Sequence, residues 1–339
     1  MTIDTLPAPT STAVAPRARR WRGALRATHF ALMAVAILVL GGAIYEAVAS
    51  RGDAAAYPLT GQLIDIGGYR LHIDCRGRGT PTIVMDAGLG GSSLDWSLVQ
   101  PALARSTRVC TYDRAGMGSS DPGPAPRSPG QIAEELHRLL VNAGQPGPYV
   151  LVGHSLAGKN IRMFAHAYPS EVAGMVLVDA RSEQVDMALT DVETDGFKAT
   201  LSGQATLYSV ARRVGIARLF GVALLGRELL VSPDLAQQMV LTQTEPNAIA
   251  ATSAEGMARS ADDVTLSGSK LADMPLVVIA ARASMDAIPG WPAAQQHLAA
   301  LGNDGRLIVA QTGHAVPLED PGLVINAVLS VVQESRDHH

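Results

Sequence analysis

Eight short aliphatic runs, most of them followed by a helix-like stretch, constrain the fold of this chain more than any other feature. The first two, at 63–66 and 69–75, alternate in character on either side of Gly67-Gly68, which predicts an antiparallel hairpin. The others are continuous, as is typical of strands buried on both faces of a parallel sheet; they lie at 82–86, 108–113, 149–153, 174–179, 276–281 and 307–311. With helical patterns such as 129–143 and 291–301 between them, they predict an α/β fold with a mostly parallel eight-stranded sheet flanked by helices.

One interval breaks this alternation. Residues 181–273 lie between two predicted strands and contain no clear strand, only helix-like stretches such as 209–225. An insertion of that length is most often a lid or cap over a site. We therefore predict a core formed by residues 61–180 and 274–335, with a helical cap at 181–273 inserted before the last two strands.

The N-terminal region has an uneven distribution of charge. Residues 27–45 carry no formal charge, and residues 1–26 set the single acid Asp4 against five arginines: Arg17, Arg19, Arg20, Arg22 and Arg26. At about 1.5 Å per residue, the uncharged segment makes a helix of about 28 Å, close to the thickness of the hydrocarbon layer. The arginines predict a basic cytoplasmic segment at 1–26, a membrane anchor at 27–46, a linker at 47–60 and the remaining chain across the membrane. A signal peptide cleaved near Ala49, with secretion of the rest, is the alternative.

Composition excludes several classes of protein. Apolar residues make up 47% of the chain and charged residues only 17%, unlike a disordered chain. The net charge of −4 does not supply the basic surface that nucleic-acid binding requires, so we expect no nucleic-acid partner.

The run at 149–153 leads directly into Gly153-His154-Ser155-Leu156-Ala157-Gly158, and a helical pattern follows. A serine between small residues on a tight turn from strand to helix is typical of a nucleophile elbow. Ala157 stands where the G-x-S-x-G pattern has its second glycine, and one extra methyl group is small enough to be tolerated. The helix N-terminus would offer amide N–H groups to an oxyanion. An ordinary turn with a capping serine is the alternative.

Two partial nucleotide-binding motifs overlap or precede this segment. The segment also matches G-x-x-x-x-G-K through Gly158-Lys159, but the phosphate loop next needs Ser or Thr to hold magnesium, and here Asn160 follows. The run at 88–91, GLGG, lacks the third glycine of a dinucleotide fingerprint. Neither motif therefore predicts a nucleotide site.

A serine nucleophile needs a base, and His314 is the candidate. It directly follows the last predicted strand and precedes the final helix, so it can reach the elbow from the carboxyl end of the sheet. The other histidines lie in the predicted membrane segment, the hairpin, helices or the tail. His154 is the exception, because it adjoins the serine; its side chain is expected to point elsewhere.

Taken together, these segments resemble the α/β-hydrolase superfamily over roughly residues 60–335. The resemblance rests on the elbow, the loop of Gly313-His314, and the stretches 86–93 (DAGLGGSS), 112–120 (YDRAGMGSS) and 176–179 (VLVD). The whole chain resembles membrane-anchored bacterial hydrolases of this superfamily. The stretch 86–93 is similar to the oxyanion loop, with Ala87-Gly88 in place of the usual His-Gly. The resemblance implies an oxyanion hole formed by the backbone N–H groups of Leu89 and Leu156.

The acid of the triad has two candidates. Asp286 follows the strand at 276–281, where most enzymes of the superfamily carry the acid, and it is our prediction. Asp179 ends the preceding strand, the position that some lipases use, and is the alternative.

The predicted function is a serine hydrolase that cleaves carboxylic esters through an acyl-enzyme intermediate. No cofactor and no metal enter this mechanism. A serine at the elbow argues against epoxide hydrolases and dehalogenases, which in this superfamily carry aspartate there. A small apolar ester is favoured by an apolar stretch of the cap, containing Leu219, Phe220, Val222, Leu224 and Leu225. The alternatives are an acyltransferase on the same triad and a non-catalytic ligand-binding member of the fold.

The two cysteines bear on the cellular compartment. Cys75 ends the second predicted strand and Cys110 lies early in the strand at 108–113. In the sheet order that the resemblance implies, these strands are antiparallel neighbours. Opposed β-carbons about 4.5–5.5 Å apart are near the reach of a disulfide, which would persist in an oxidising compartment. Two buried thiols that pack as small apolar groups are the alternative.

Overall fold

A computed structural model describes residues 17–188, 190–225, 230–258, 262–271 and 273–337. The first sixteen residues of the predicted basic segment lie outside this described part of the chain. So do Leu189, the stretches 226–229 and 259–261, and Ala272 of the predicted cap.

One sheet of eight strands organises the described residues, in the order β1-β2-β4-β3-β5-β6-β7-β8. The first two strands and β4 pair antiparallel, and the strands from β4 to β8 pair parallel. The bounds are β1 Gln62–Asp65, β2 Arg70–Arg76, β3 Thr82–Asp86, β4 Val109–Tyr112, β5 Tyr149–His154, β6 Val172–Val178, β7 Leu276–Ala281 and β8 Arg306–Ala310. The predicted hairpin and the mostly parallel eight-stranded sheet are therefore confirmed.

Fourteen α-helices are assigned within the described residues. Their bounds are α1 Arg17–Ala56, α2 Gln100–Leu103, α3 Pro129–Asn142, α4 Ala157–Ala167, α5 Glu183–Ala188, α6 Asp191–Arg213, α7 Ile216–Leu225, α8 Pro233–Gln243, α9 Pro246–Met257, α10 Asp262–Ser267, α11 Arg282–Ala287, α12 Trp291–Ala299, α13 Val316–Glu319 and α14 Pro321–Asp337. Two short 3₁₀ helices cover Ser93–Trp96 and Pro169–Glu171.

Both faces of the sheet are buried. Because side chains alternate along a strand, Ile83 and Met85 of β3 pack on one side and Val84 packs on the other. The side of Ile83 carries Trp96, Val99 and residues of α14, whereas the side of Val84 carries residues of α3, α4 and α12. This two-sided burial explains why the strands are continuous aliphatic runs in the sequence.

The described part of the insertion between β6 and β7 consists of six helices, α5 to α10. The single helical stretch expected at 209–225 is two helices, because α6 ends at Arg213 and α7 begins at Ile216. Gly215 between them has φ of 74°, a left-handed conformation that side chains with a β-carbon disfavour. The backbone therefore turns at this glycine.

Buried ion pairs hold the insertion on the core. Lys159 of α4 is only 2% exposed, and its Nζ lies 2.8 Å from Oδ2 of Asp186 in α5. One turn further along α4, Nη1 of Arg162 lies 2.5 Å from Oε2 of Glu183. Both cations belong to the helix that follows Ser155, so the cap is tied directly to the element that carries the predicted nucleophile.

The N-terminal helix α1 contains the predicted membrane segment. Among the described helices, one is long and apolar enough to cross a bilayer, over Leu25–Ala56, and its apolar side chains are almost all exposed. The residues expected to form a linker continue this helix to Ala56, because the stretch 47–56 is rich in alanine. Its end comes two residues before Pro58.

The two cysteines form a disulfide between β2 and β4. Cys75 and Cys110 are directly opposed in the antiparallel register, and their sulfur atoms are bonded. The predicted antiparallel pairing of these strands is confirmed. A bridge between residues 35 apart in sequence restricts the unfolded chain and thereby stabilises the fold.

We expect reduction of this disulfide to lower the free energy of unfolding by about 4 kcal/mol, the loop-entropy value for a 35-residue separation. Urea unfolding of the detergent-solubilised protein, with and without dithiothreitol, measures the change. The Cys75→Ala/Cys110→Ala variant is the control, because it should be insensitive to the reductant. Two free thiols in denatured, unreduced protein would contradict the bridge.

Candidate active site

Ser155 lies on the sharp turn between β5 and α4. Its φ of 54° is unusual for a residue with a side chain, and its N–H donates to the carbonyl oxygen of Val178 in β6. Space around the turn is tight, since a β-carbon on Gly153 would lie 2.8 Å from Cδ1 of Ile161. One on Gly158 would lie 2.5 Å from the β-carbon of Ala180. The small residues of the motif are therefore required by packing.

His314 reaches Ser155 from the loop after β8. Its Nε2 lies 2.8 Å from Oγ of Ser155, within hydrogen-bond distance. His154 supports the same loop, because its Nε2 donates to the carbonyl oxygen of His314 at 2.8 Å. The two imidazole rings lie 4.8 Å apart between centroids. The side chain of His154 therefore points toward the site, contrary to the sequence-based expectation.

Asp179, directly after β6, completes a chain of hydrogen bonds. Its carboxylate is fully buried, and Oδ2 lies 2.6 Å from Nδ1 of His314. The same carboxylate accepts hydrogen bonds from Ser284 Oγ at 2.5 Å, Trp291 Nε1 at 2.8 Å and the N–H of Ala281 at 2.9 Å. Burial alone would raise the pKa of Asp179, but hydrogen bonding from His314, Ser284, Ala281 and Trp291 holds that pKa below its ordinary value.

The structure does not bring Asp286, our predicted acid, to His314. Helix α11 begins immediately after β7 and carries Asp286 to the surface, where its side chain is 65% exposed and lies 3.5 Å from Nη1 of Arg282. Ser284 of the same helix and Trp291 of α12 turn inward instead, and both donate to Asp179. The expected pairing is thus corrected, and the alternative candidate, Asp179, is the one in contact.

The predicted oxyanion loop passes directly over the elbow. A β-carbon on Gly88 would lie 2.9 Å from Nδ1 of His154 and 3.2 Å from Cβ of Ser155, so only glycine allows this approach. Within the described part of the chain, the N–H groups of Leu89 and Leu156 donate to no backbone or side-chain acceptor. Leu156 immediately precedes α4, whose N-terminus adds a favourable dipole for an anion.

A buried arginine holds this loop in place. Arg114 donates through Nη1 to the carbonyl oxygen of Ala87 at 2.5 Å and through Nη2 to that of Gly88 at 2.8 Å. The same guanidinium pairs with Asp86 at 2.6 Å and with Glu255 of cap helix α9 at 2.9 Å. The backbone carbonyls of the loop are therefore fixed by a network that includes the cap.

Two cavities adjoin these residues. The first, which we call the nucleophile cavity, has a volume of about 330 Å³ and is lined by Gly88, Leu89, His154, Ser155, His314 and Leu318, among others. The second, the cap cavity, has a volume of about 260 Å³ and lies between Leu89 and the cap residues Leu201, Tyr208 and Ile249. Leu89 lines both cavities, so they adjoin at the oxyanion loop.

Several residues that shape the site were missed in the sequence. Arg114 stands within the stretch 112–120 that carries the family resemblance, and a charged residue directly after a buried strand is a signal that could have identified it. Ser284, Trp291 and Glu255 have no comparable signal, because their partners are distant in sequence. Lys159, which a phosphate loop would use, is paired with Asp186 and Asp263, in agreement with the rejection of that motif. Among the described residues, no group of three His, Cys, Asp or Glu side chains forms a potential metal site.

The chain is similar in part to several curated proteins. It is 40% identical over 129 residues to the "Probable transporter efuK" of Hormonema carpetanum, covering 36% of this chain and 18% of that protein. The chain spans less than half the length of each of the first three curated relatives that it matches. These matches are therefore local.

Solved structures match over most of the chain. An epoxide hydrolase, CorEH, has a TM-score of 0.60 at 20% identity, covering 80% of this chain and 98% of its own. A thermophilic esterase from Thermogutta terrifontis has a TM-score of 0.62 at 21% identity, covering 82% and 99%. At these identities, the likeness shows the fold alone.

The family comparison covers more of the chain than any of the local matches to curated relatives. The family described as "alpha/beta hydrolase fold" matches residues 81–321, which include the elbow, the cap and the loop of His314. The match extends over more than half of the sequence and agrees with the strand order and the helical insertion. This chain belongs to the α/β-hydrolase fold family.

Proposed function

We propose that this hydrolase cleaves carboxylic esters with Ser155 as nucleophile, His314 as general base and Asp179 as the acid that orients the histidine. The observation that carries the proposal is the continuous chain of hydrogen bonds from Ser155 Oγ through His314 to Asp179. Each contact is within 2.8 Å, which is the arrangement that nucleophilic catalysis by serine requires.

In the proposed mechanism, His314 Nε2 takes the proton of Ser155 as Oγ attacks the carbonyl carbon of the ester. The N–H groups of Leu89 and Leu156 stabilise the oxyanion of the tetrahedral intermediate. His314 then protonates the departing alcohol, which leaves an acyl group on Ser155. His314 next activates a water molecule that releases the acid. Asp179 holds Nδ1–H of the imidazole and stabilises its positive charge in both steps.

The lining of the cap cavity supports an apolar acyl or alcohol group. Leu89, Leu201 and Ile249 supply aliphatic surface beside the oxyanion loop, while Gln204 and Tyr208 add a few polar atoms. Such a lining is typical of pockets in which apolar contact supplies affinity and a few polar groups set orientation. The serine at the elbow favours this substrate class over epoxide chemistry.

We further propose that α1 anchors the enzyme in a bacterial membrane, with the catalytic domain on the extracytoplasmic side. The exposed apolar side chains of α1 and the arginines that precede its uncharged stretch support this topology. The Cys75–Cys110 disulfide is compatible with the oxidising compartment that this topology implies.

We expect Ser155→Ala and His314→Ala each to lower kcat for p-nitrophenyl esters by at least about 10⁴-fold, because nucleophile and base act as one unit. The double variant should be no slower than either single variant. His137→Ala is the control, since His137 lies on α3 and contacts Glu171 instead. Additive losses in the double variant would contradict the assignment.

For the acid, we expect Asp179→Asn to lower kcat by about 10³- to 10⁴-fold, because an amide stabilises the wrong tautomer of His314. Asp286→Asn is the matched control and should retain normal turnover, since Asp286 is exposed. A large loss in Asp286→Asn with normal turnover in Asp179→Asn would reverse the assignment.

The same variant has a stability signature. The pKa of Asp179 is lowered in the folded state, so its ionised form stabilises the protein fully above the unfolded value of about 4. That contribution is lost as the pH falls through the folded-state pKa. Below a pH of about 4, the free energy of unfolding should therefore fall less steeply with falling pH in Asp179→Asn than in the wild type, as measured by unfolding curves at several pH values.

We expect Arg114→Lys to lower kcat by about tenfold or more with a smaller change in KM, because lysine cannot hold both loop carbonyls and both carboxylates. The matched control is Arg127→Lys. Arg127 is equally buried, and its Nη1 lies 2.6 Å from Oε1 of Glu135, but it does not contact the oxyanion loop. Similar losses of kcat in both variants would show that Arg114 acts only through stability.

A further inference from the structure

The cap presents an apolar surface to solvent. On α7, the exposed residues Ile216, Leu219, Phe220 and Ala223 follow the helical spacing i, i+3, i+4, i+7. Leu207 and Val210 are exposed on the neighbouring helix α6. Leu219 and Phe220 are each 58% exposed, although side chains of this type are usually buried. We call Leu207, Val210, Ile216, Leu219 and Phe220 the cap outer face. Such a cluster marks an interaction site.

The helix α1 packs against this part of the cap. A β-carbon on Gly42 would lie 2.1 Å from the carbonyl oxygen of Val214, and one on Gly215 would lie 2.9 Å from the carbonyl oxygen of Gly42. Backbone therefore meets backbone where α1 crosses the turn between α6 and α7. Glycine is needed on both sides of this crossing, a close approach that is also common between helices in membranes.

Charged residues fix the crossing just beyond it. Arg218 of α7 donates to Glu46 at 3.0 Å and to Asp53 at 2.6 Å, both on α1. Arg212 of α6 adds a contact with Glu46 at 3.0 Å. Hydrogen bonds to Asp53 and Glu46 raise the pKa of Arg218 far above its ordinary value, so its charge is permanent. The cap is thus attached at a defined position along α1, between Gly42 and Asp53.

This point of attachment lies where the uncharged stretch of α1 ends. The stretch covers residues 27–45, Gly42 lies within its last turn, and Glu46 is the first charged residue after it. If residues 27–45 cross the hydrocarbon layer, the turn at Gly215 lies at the boundary between hydrocarbon and headgroups. The cap outer face flanks this turn in sequence, with Val210 on one side and Ile216 on the other.

The helix α6 also borders the cap cavity. Leu201, Gln204, Ala205 and Tyr208 line that cavity and share one side of the helix by their spacing. Val210 lies on the opposite side of the helix and Leu207 lies at its flank, and both are exposed. A single helix, about 10 Å across, therefore separates the cavity beside the oxyanion loop from the cap outer face.

We propose that the cap outer face lies in the surface of the lipid bilayer that α1 crosses, and that the enzyme takes ester substrates dissolved in that bilayer. This inference rests on the membrane anchoring and ester hydrolysis proposed above. The substrate class is accordingly an ester with a long acyl chain that partitions into membranes, and the cap cavity receives its apolar part. The bilayer supplies the partner for side chains that no described residue covers.

Depth-dependent fluorescence quenching tests the location of the surface. The full chain, as the Ser155→Ala variant, is reconstituted in vesicles of phosphatidylcholine and phosphatidylglycerol with a bimane label on Phe220→Cys. The control label is on Val141→Cys. Val141 is also 58% exposed, but it lies on α3 of the α/β core, outside the cap. With dibrominated phosphatidylcholine, we expect about twofold or greater quenching at position 220 and none at position 141.

The outcomes separate this inference from the proposals on which it rests. Flotation with vesicles reports on anchoring alone, and the labelled protein lacks the nucleophile, so quenching does not depend on activity. Protein that floats without quenching at position 220 overturns the inference. If the label at position 220 is shielded from water only at a high ratio of protein to lipid, and brominated lipid does not quench it, the inference is also overturned. The surface is then assigned to a second copy of the chain. Failure to float overturns the anchoring and this inference together.

Activity supplies a second test. In the otherwise wild-type enzyme, Leu219→Gln/Phe220→Gln should leave kcat/KM for soluble p-nitrophenyl acetate unchanged. Contrary to the substrate contact that the sequence suggested for this stretch, neither side chain lines the nucleophile cavity or the cap cavity. The double variant should lower the rate on a long-chain p-nitrophenyl ester dissolved in the vesicles by about tenfold or more, because the apolar contact with the bilayer is lost. The matched control, Val141→Gln, should change neither rate. Equal rates for the double variant and the wild type on the vesicle-bound ester would overturn the proposal. Ser155→Ala, which should lose activity on both esters, tests the proposed ester hydrolysis separately.

Discussion

The site depends on the hydrogen bonds that the buried carboxylate of Asp179 accepts. This carboxylate lies at the end of β6 without access to solvent and accepts hydrogen bonds from the loop of His314, the end of β7, α11 and α12. A charge in this position would be costly without such partners. Four donors offset that cost, and in doing so they fix the loop of His314 relative to β6, β7, α11 and α12.

A second set of buried charges determines where the cap sits. Arg114, Lys159 and Arg162 each extend from the core to carboxylates of the insertion. Such pairs contribute little net stability compared with apolar packing, but removing one partner leaves an unpaired buried charge and costs about 3–5 kcal/mol. They therefore specify one docking geometry for the cap. Through Arg114, that geometry also includes the carbonyls of the oxyanion loop.

The cap is fixed on its other side by α1. Contacts through Gly42 and Glu46 mean that α1, the cap and the oxyanion loop form a continuous series of packed elements. In the proposed membrane-bound enzyme, helix α6, which borders the cap cavity, would also face the lipid together with α7. Substrate access and membrane attachment would then be properties of one structural unit.

The sequence by itself determined the sheet, because buried parallel strands need continuous aliphatic runs and a hairpin needs its glycines. It also determined the turn of Ser155 and the approach of His314, since both follow strands whose carboxyl ends meet at one edge. The opposition of Cys75 and Cys110 was an expectation from the sheet order that the family resemblance implied, and the register of β2 and β4 agrees with it. Only the tertiary structure shows that Asp179 and not Asp286 contacts His314, because that contact depends on α11, which turns Ser284 inward and Asp286 outward. It alone also revealed the crossing of α1 with the turn at Gly215 and the pairing of Glu46 with Arg218, since a backbone crossing with Gly42 and ion pairs across more than 150 residues leave no local pattern in the sequence.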